Sequence, residues 1–368
     1  MPLAADVAEQ PSCLQPGDLV GNYRVERKLA EGGMGTVYVA THIVLPRRVA
    51  IKILRPELLG LEGARQGLLN EGCILERMND PSVARLFDAG MLADGRPWLA
   101  MELVEGECLA EMLARRGTLS VAEVAPIIAA IVDALAAAHI AGYVHGDVKP
   151  ENVIVCTTGP AMTVKLIDWG IAKSPGGSVH DGKMAVGTPH YMAPEQVRGE
   201  AIDRRADVYA LGVLAYELLV GAPPFSGDSP AELAAQHLTK KPRPVREMRP
   251  NVPPAIDALV QKMLGKTRDE RPLLETVRAC FSLVTEAALA VPDDTEFDDL
   301  EVTIEIPRVT PEPETDLARA EAPRARWTPQ TEHHAIADHT TMRLGRVVSS
   351  SGKPNATVAG TIARRTAL

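Results

Sequence analysis

Apolar and polar positions alternate in three stretches near the start of the chain, 23–29, 36–40 and 49–54. Side chains along a strand point to opposite faces in turn, so this period marks half-buried strands. Glycine-rich residues separate the first two stretches and Pro46-Arg47-Arg48 the last two, which predicts antiparallel pairing. The period then changes. Leu68, Leu75 and Met78 share one face of a helix predicted over 64–78. Two further strands are predicted at 85–89 and 98–104. Beyond Gly106 the pattern is mainly helical to about residue 285, with strongly apolar helices at 124–144 and 208–220. A strand-rich part followed by a helix-rich part predicts an α+β domain in two lobes, a small antiparallel β-rich one and a larger helical one. The 124–144 segment is long enough to cross a bilayer. Pro126, Asp133 and His139 interrupt it, and a lipid-facing Asp is costly, so a buried core helix is the expectation.

The ends of the chain have a different texture. Residues 1–22, rich in Ala, Pro and acidic residues, are predicted to be a flexible lead-in to a domain spanning 23–285. Within the remainder, 286–368, residues 293–316 are dominated by Asp and Glu, whereas 319–365 is sparser and net basic. Aromatics nearly vanish there, so too little apolar surface is available to offset the entropy of ordering, and a flexible tail is expected. The 46% of apolar residues supplies a sizeable core elsewhere, and a net charge of -9 argues against nucleic acid as the main partner. The five scattered cysteines lack a C-x-x-C pair, which fits a reduced, cytoplasmic setting. No basic start followed by an apolar run marks a signal peptide.

The chemistry concentrates in His145-Gly146-Asp147-Val148-Lys149-Pro150-Glu151-Asn152 and, after a short apolar strand, Asp168-Trp169-Gly170. One carboxylate can orient a hydroxyl and the lysine can hold a phosphate. The asparagine and the second carboxylate can hold magnesium. Phosphoryl transfer needs these parts because it works by positioning and charge neutralisation. Small-molecule phosphotransferases of the aminoglycoside and choline kinase type also carry H-G-D…N followed by I-D-W, and Gly146 and Trp169 lean their way. Upstream, Ala30-Glu31-Gly32-Gly33-Met34-Gly35-Thr36-Val37 joins the first two strands. Glycines there let backbone N–H groups approach phosphates, although such a turn is more often only a hairpin. Lys52 sits inside an apolar strand, where it points into a cleft or lies on an edge. A cleft lysine needs a carboxylate anchor, and the following helix offers Glu71, with Glu76 as rival; Glu71 stands further back from the Asp80-Pro81 turn.

With these residues in place, residues 23–285 resemble the eukaryotic-like serine/threonine protein kinases, especially bacterial ones whose loop reads E-G-G-M-G-x-V-Y. The downstream half carries the resemblance past the small-molecule enzymes. Gly187-Thr188-Pro189-His190-Tyr191-Met192-Ala193-Pro194-Glu195 is similar to the peptide-substrate loop, Asp207 opens a segment similar to the buried helix that braces the catalytic loop, and Arg271 matches the partner of Glu195. The resemblance implies the two-lobed kinase fold, ATP and Mg²⁺ as cofactors, and Ser/Thr transfer to protein substrates including the chain itself. It implies that Lys52 binds phosphate with Glu71 as its ion-pair partner. Asp147 is implied as the catalytic base, Lys149 as the γ-phosphate contact, and Asn152 and Asp168 as magnesium ligands. Leu29, Ala30, Glu31, Gly32, Gly33, Met34, Gly35, Thr36 and Val37 are implied to cover the nucleotide, Glu102 to Val104 to form the hinge that holds adenine, Met101 to stand at the gate to the back pocket, and Ala50 to line the nucleotide site. Thr188 is implied to bond near the catalytic Asp. Phosphothreonine readers would be partners if tail threonines such as Thr303 or Thr310 are modified. A pseudokinase scaffold and a small-molecule phosphotransferase are the other readings. Three departures stand out: Ala30 replaces a loop glycine, Trp169 a phenylalanine, and Gly146 the arginine that usually meets an activation-loop phosphate.

Overall fold

The computed structural model describes residues 13–157, 162–169 and 189–290. The first lobe holds an antiparallel sheet of β1 (Leu19–Val20), β2 (Tyr23–Glu31), β3 (Gly35–His42), β4 (Arg48–Leu54), β5 (Leu86–Met91) and β6 (Pro97–Glu102), ordered β1-β2-β3-β4-β6-β5. Helix α1 (Glu62–Arg77) packs on it. In β4 the alternation sorts side chains onto two faces. Val49, Ile51 and Ile53 enter a core with Tyr38, Trp98 and Ala100, whereas Leu54 joins Leu68 of α1 and Leu99 on the other face. Lys52 shares the face of Leu54, because residues two apart on a strand point the same way. A buried lysine is thereby aimed at the helix rather than at solvent.

The second lobe is built from α2 (Leu109–Arg116), α3 (Val121–Ile140), α4 (Pro194–Val197), α5 (Arg205–Val220), α6 (Pro230–Thr239), α7 (Val245–Met248), α8 (Pro254–Met263) and α9 (Leu274–Ala290). A small sheet of β7 (Glu107–Cys108), β8 (Val153–Cys156) and β9 (Thr163–Leu166) lies among them, with β8 central. Ser120 caps α3 in a reciprocal pair: its Oγ accepts from Glu123 N and its own N–H donates to the Glu123 carboxylate at 2.9 Å. Among the described residues α3 alone is long and apolar enough to cross a membrane, and half of that stretch is buried. Its apolar residues, with those of α5, α8 and α9, form one core, as expected of a buried helix.

The boundaries differ from the sequence reading in physically intelligible ways. The sheet begins before residue 23: Leu19 and Val20 pair with Arg24 and Tyr23, Leu14 N donates to Tyr38 Oη at 3.2 Å, and Val20 is fully buried. An end too short for a period to show is held here by partners distant in sequence. The strand predicted to reach 104 stops at Glu102. Helix α9 runs past 285 to Ala290. The lead-in before residue 13, the expected loop residues Ser174, Ser178 and Thr188, and the tail beyond 290 lie outside the described residues.

Candidate active site

Three distant segments meet at Lys52. Its Nζ donates to Glu71 Oε2 at 2.7 Å and Oε1 at 2.9 Å, and to Asp168 Oδ1 at 2.8 Å. Glu71 is 1% exposed and Lys52 7%. Glu71, not Glu76, therefore anchors the lysine. Burial by itself would push the Lys52 ammonium down, but the Glu71 and Asp168 carboxylates outweigh it and hold its pKa above the usual lysine value. The charge is therefore permanent at neutral pH.

The second cluster lies on the segment after α3. Lys149 Nζ donates to Asp147 Oδ2 at 2.6 Å, and Asn152 Nδ2 donates to the Asp147 carbonyl at 2.8 Å and to its carboxylate at 3.3 Å. The loop is pinned from below by Asp207 on α5. Its carboxylate, 0% exposed, accepts from His145 N at 2.9 Å and Gly146 N at 2.8 Å, and contacts His139 Nε2 at 2.8 Å. Asp147 N in turn donates to His145 Nδ1 at 3.2 Å. Burial lowers the His145 pKa, which keeps the ring neutral and its nitrogen able to accept.

Gly146 has a φ of 75°. That is the left-handed region, which an L side chain enters at a cost of about 1–2 kcal/mol. The sequence reading saw only a missing arginine here; the structure shows a backbone conformation that glycine adopts without penalty. Asp168 is the one described non-glycine residue with positive φ, at 63°. Trp169 behind it is buried, its ring 4.5 Å from that of His145 at an interplanar angle of 63°. Neither feature carries a signal in a single sequence beyond the residue types themselves.

At the glycine-rich turn between β2 and β3, Gly32 N donates to Gly35 O at 2.9 Å, and Arg55 N to Met34 O at 3.2 Å. A Cβ at Gly35 would sit 2.8 Å from Ile53 O, so the close approach of two backbones requires glycine there. Ala30 is absent from the positive-φ residues, so the extra methyl group meets no backbone penalty. Leu29, Ala30, Glu31, Gly32 and Gly33 are exposed, Met34, Thr36 and Val37 half-buried, and Ala50 buried. Met101, Glu102 and Val104 are half-buried where the lobes join. The Glu102 carboxylate turns to Lys165, 2.9 Å away.

Beyond the cleft, Arg271 Nη1 and Nη2 form a bidentate pair with Glu195 at 2.6 and 2.8 Å, both residues 1% exposed. Gln196 Nε2 donates to the Gly146 carbonyl at 2.8 Å, which ties this region to the loop bearing Asp147. Tyr191 donates to Glu217 of α5. Sequence spacing had singled out neither Gln196 nor Glu217.

A two-lobed fold with a lysine–glutamate pair facing a carboxylate across the cleft defines a nucleotide-dependent phosphotransferase architecture. The comparisons with known proteins make this specific. The protein kinase domain family model matches residues 23–280, and the chain belongs to that family. It is 38% identical over 258 residues to the serine/threonine-protein kinase pkn3 of Myxococcus xanthus, covering 68% of this chain and 47% of the relative. It is 36% identical over 262 residues to PknB of Mycolicibacterium smegmatis, covering 70% of this chain and 41% of the relative. For PknH of Mycobacterium tuberculosis the identity is 36% over 318 residues, 84% of this chain and 49% of the relative. The chain thus spans less than half the length of these relatives.

Proposed function

We propose that the protein transfers the γ-phosphoryl group of ATP to Ser and Thr hydroxyls of protein substrates, its own chain among them. The observation that carries this reading is the convergence of Lys52, Glu71 and Asp168 within hydrogen-bond distance from three elements. In this reading Asp147 accepts the hydrogen bond of the acceptor hydroxyl and orients it. Lys149 stabilises charge on the transferred group, and Lys52 holds the phosphates while Glu71 fixes its position. Asn152 and Asp168 present amide and carboxylate oxygens, hard donors that suit Mg²⁺. Asn152 spends its Nδ2 on Asp147, which leaves the amide oxygen as its donor atom. Bound there, Mg²⁺ would neutralise phosphate charge. The loop 29–37 covers the nucleotide, Glu102 and Val104 hold adenine, Met101 gates the back pocket, and Ala50 lines the nucleotide site. Thr188, which lies outside the described residues, keeps the role implied by the resemblance, a hydroxyl bonding near the catalytic Asp.

The same reading places the kinase domain in the cytoplasm and makes tail threonines such as Thr303 and Thr310 acceptors, hence docking sites for phosphothreonine readers. It also makes the enzyme independent of activation-loop phosphorylation, because Gly146 offers no guanidinium to a loop phosphate. A pseudokinase is disfavoured by the presence of Lys52, Asp147, Asn152 and Asp168 together. A small-molecule phosphotransferase is disfavoured by the Arg271–Glu195 pair.

The test offers the purified full chain Mg-ATP with a generic basic protein, an aminoglycoside, or no acceptor. Phosphate should appear on the protein acceptors. Asp147→Asn should lower the rate by about two to four powers of ten, the weight of one positioned catalytic group. An Asp147→Asn protein as fast as the parent would remove the assignment.

A further inference from the structure

Where the end of α1 meets β5, the last residue of β6 and Lys165 of β9 there is a cavity of about 490 Å³. That is within the size range of ligand sites. Met78, Val83 and Phe87 form an apolar wall, and Arg85, Glu102 and Lys165 bring charge. Its anions are already engaged. Glu102 accepts from Lys165 at 2.9 Å and from Arg85 N at 3.2 Å, and Asp80 accepts from Ser82 N at 2.7 Å. Its one guanidinium, Arg85, is not, and neither is Arg47, which lies outside the lining but 4.5 Å over the Phe87 ring: among the described residues neither pairs with a carboxylate. An apolar wall with two uncompensated cations calls for an occupant that is apolar at its centre and acidic around it.

The chain carries such a segment. Phe297 stands among Asp293, Asp294, Glu296, Asp298, Asp299 and Glu301. It follows the end of α9 at Ala290 closely. Helix α9 packs on α3, and α3 packs on β9, the strand of Lys165. An extended leash from Ala290 to Phe297 reaches about 25 Å.

We propose that the acidic segment around Phe297 docks in this cavity, with the phenyl ring on the wall of Met78, Val83 and Phe87 and the flanking carboxylates on Arg85 and Arg47. The surface is well placed to matter. Met78 ends the helix that carries Glu71, Glu102 is the last residue of β6, and Lys165 lies on the strand leading to Asp168. Docking therefore braces three elements of the site from behind, and it does so whether or not phosphate is transferred.

The test places a photo-crosslinking benzoylphenylalanine at position 297 of the full chain and maps the adducts by mass spectrometry. The expected result is an adduct within residues 78–87 at the mass of a single chain. Its yield should fall about tenfold in Arg85→Ala, the weight of a charge-assisted hydrogen bond, and should collapse at high salt, where such pairs are screened. Hydrogen exchange of residues 78–87 gives a second readout, with faster exchange expected in Phe297→Ala. Adducts elsewhere, adducts at the mass of two chains, or exchange unchanged by Phe297→Ala would each overturn the proposal.

Discussion

The conformation of Gly146 makes a quantitative prediction at the centre of the site. With φ at 75°, any L residue there pays roughly 1–2 kcal/mol of backbone strain. A methyl group also restricts the unfolded chain, which returns about 0.4–1 kcal/mol. The net cost of Gly146→Ala is therefore about 1 kcal/mol, a roughly fivefold shift of the folding equilibrium. The Asp207 carboxylate, bonded to the N–H groups of 145 and 146, opposes relaxation of the loop, so the strain is retained rather than relieved. Gly146→Arg should cost a similar amount, even though it installs the arginine that the resemblance leads one to expect there. Urea unfolding of the full chain, followed by tryptophan fluorescence, measures this directly, since Trp169 packs on the neighbouring His145. Gly117→Ala is the control: its φ is 76°, it caps α2, and nothing lies within 4 Å of the added carbon. Its ψ of -53° lies outside the αL region, so the change should cost at least as much, without touching phosphate transfer. A Gly146→Ala protein as stable as the parent, alongside a destabilised Gly117→Ala, would refute the strain argument.

Three further outcomes are expected. Arg271→Met removes the bidentate partner of the buried Glu195 carboxylate, leaving it Arg268 at 3.9 Å, and leaves the Gly265 and Arg205 carbonyls without their donor, so it should destabilise by about 3 kcal/mol in denaturant titration. His237, buried against Tyr209 and Phe225, has its pKa pushed down to about 4, chiefly by burial. The unfolded chain then takes up the proton first, so stability is full above the ordinary histidine value of 6.5 and declines as pH falls from there towards 4, by about 3 kcal/mol in all; His237→Gln should lack this share of the acid loss when unfolding is compared at pH 7 and pH 4.5. Phosphatase-treated enzyme, and the Ser174→Ala, Ser178→Ala double variant, should keep most of the initial rate towards an external substrate, and a long lag abolished by prior autophosphorylation would contradict this.

The sequence by itself determined the elements and the cast of the site. Strand alternation in 49–54 and the apolar stripe of α1 announced the lobe, and the spacing of Asp147, Lys149, Asn152 and Asp168 announced the chemistry, because period and short-range spacing are local properties. Pairing across the fold was not local. The choice of Glu71 over Glu76 had only a weak sequence argument and was decided by which turn of α1 faces Lys52. The docking of Leu14, Leu19 and Val20 onto the sheet, at the edge of a segment expected to be loose, depends on partners in β2 and β3. Gly146 shows the division most clearly. Its identity was legible as an absent arginine, but its φ is set by Asp207, some sixty residues onward, through two hydrogen bonds that exist only once α5 is packed beneath the loop.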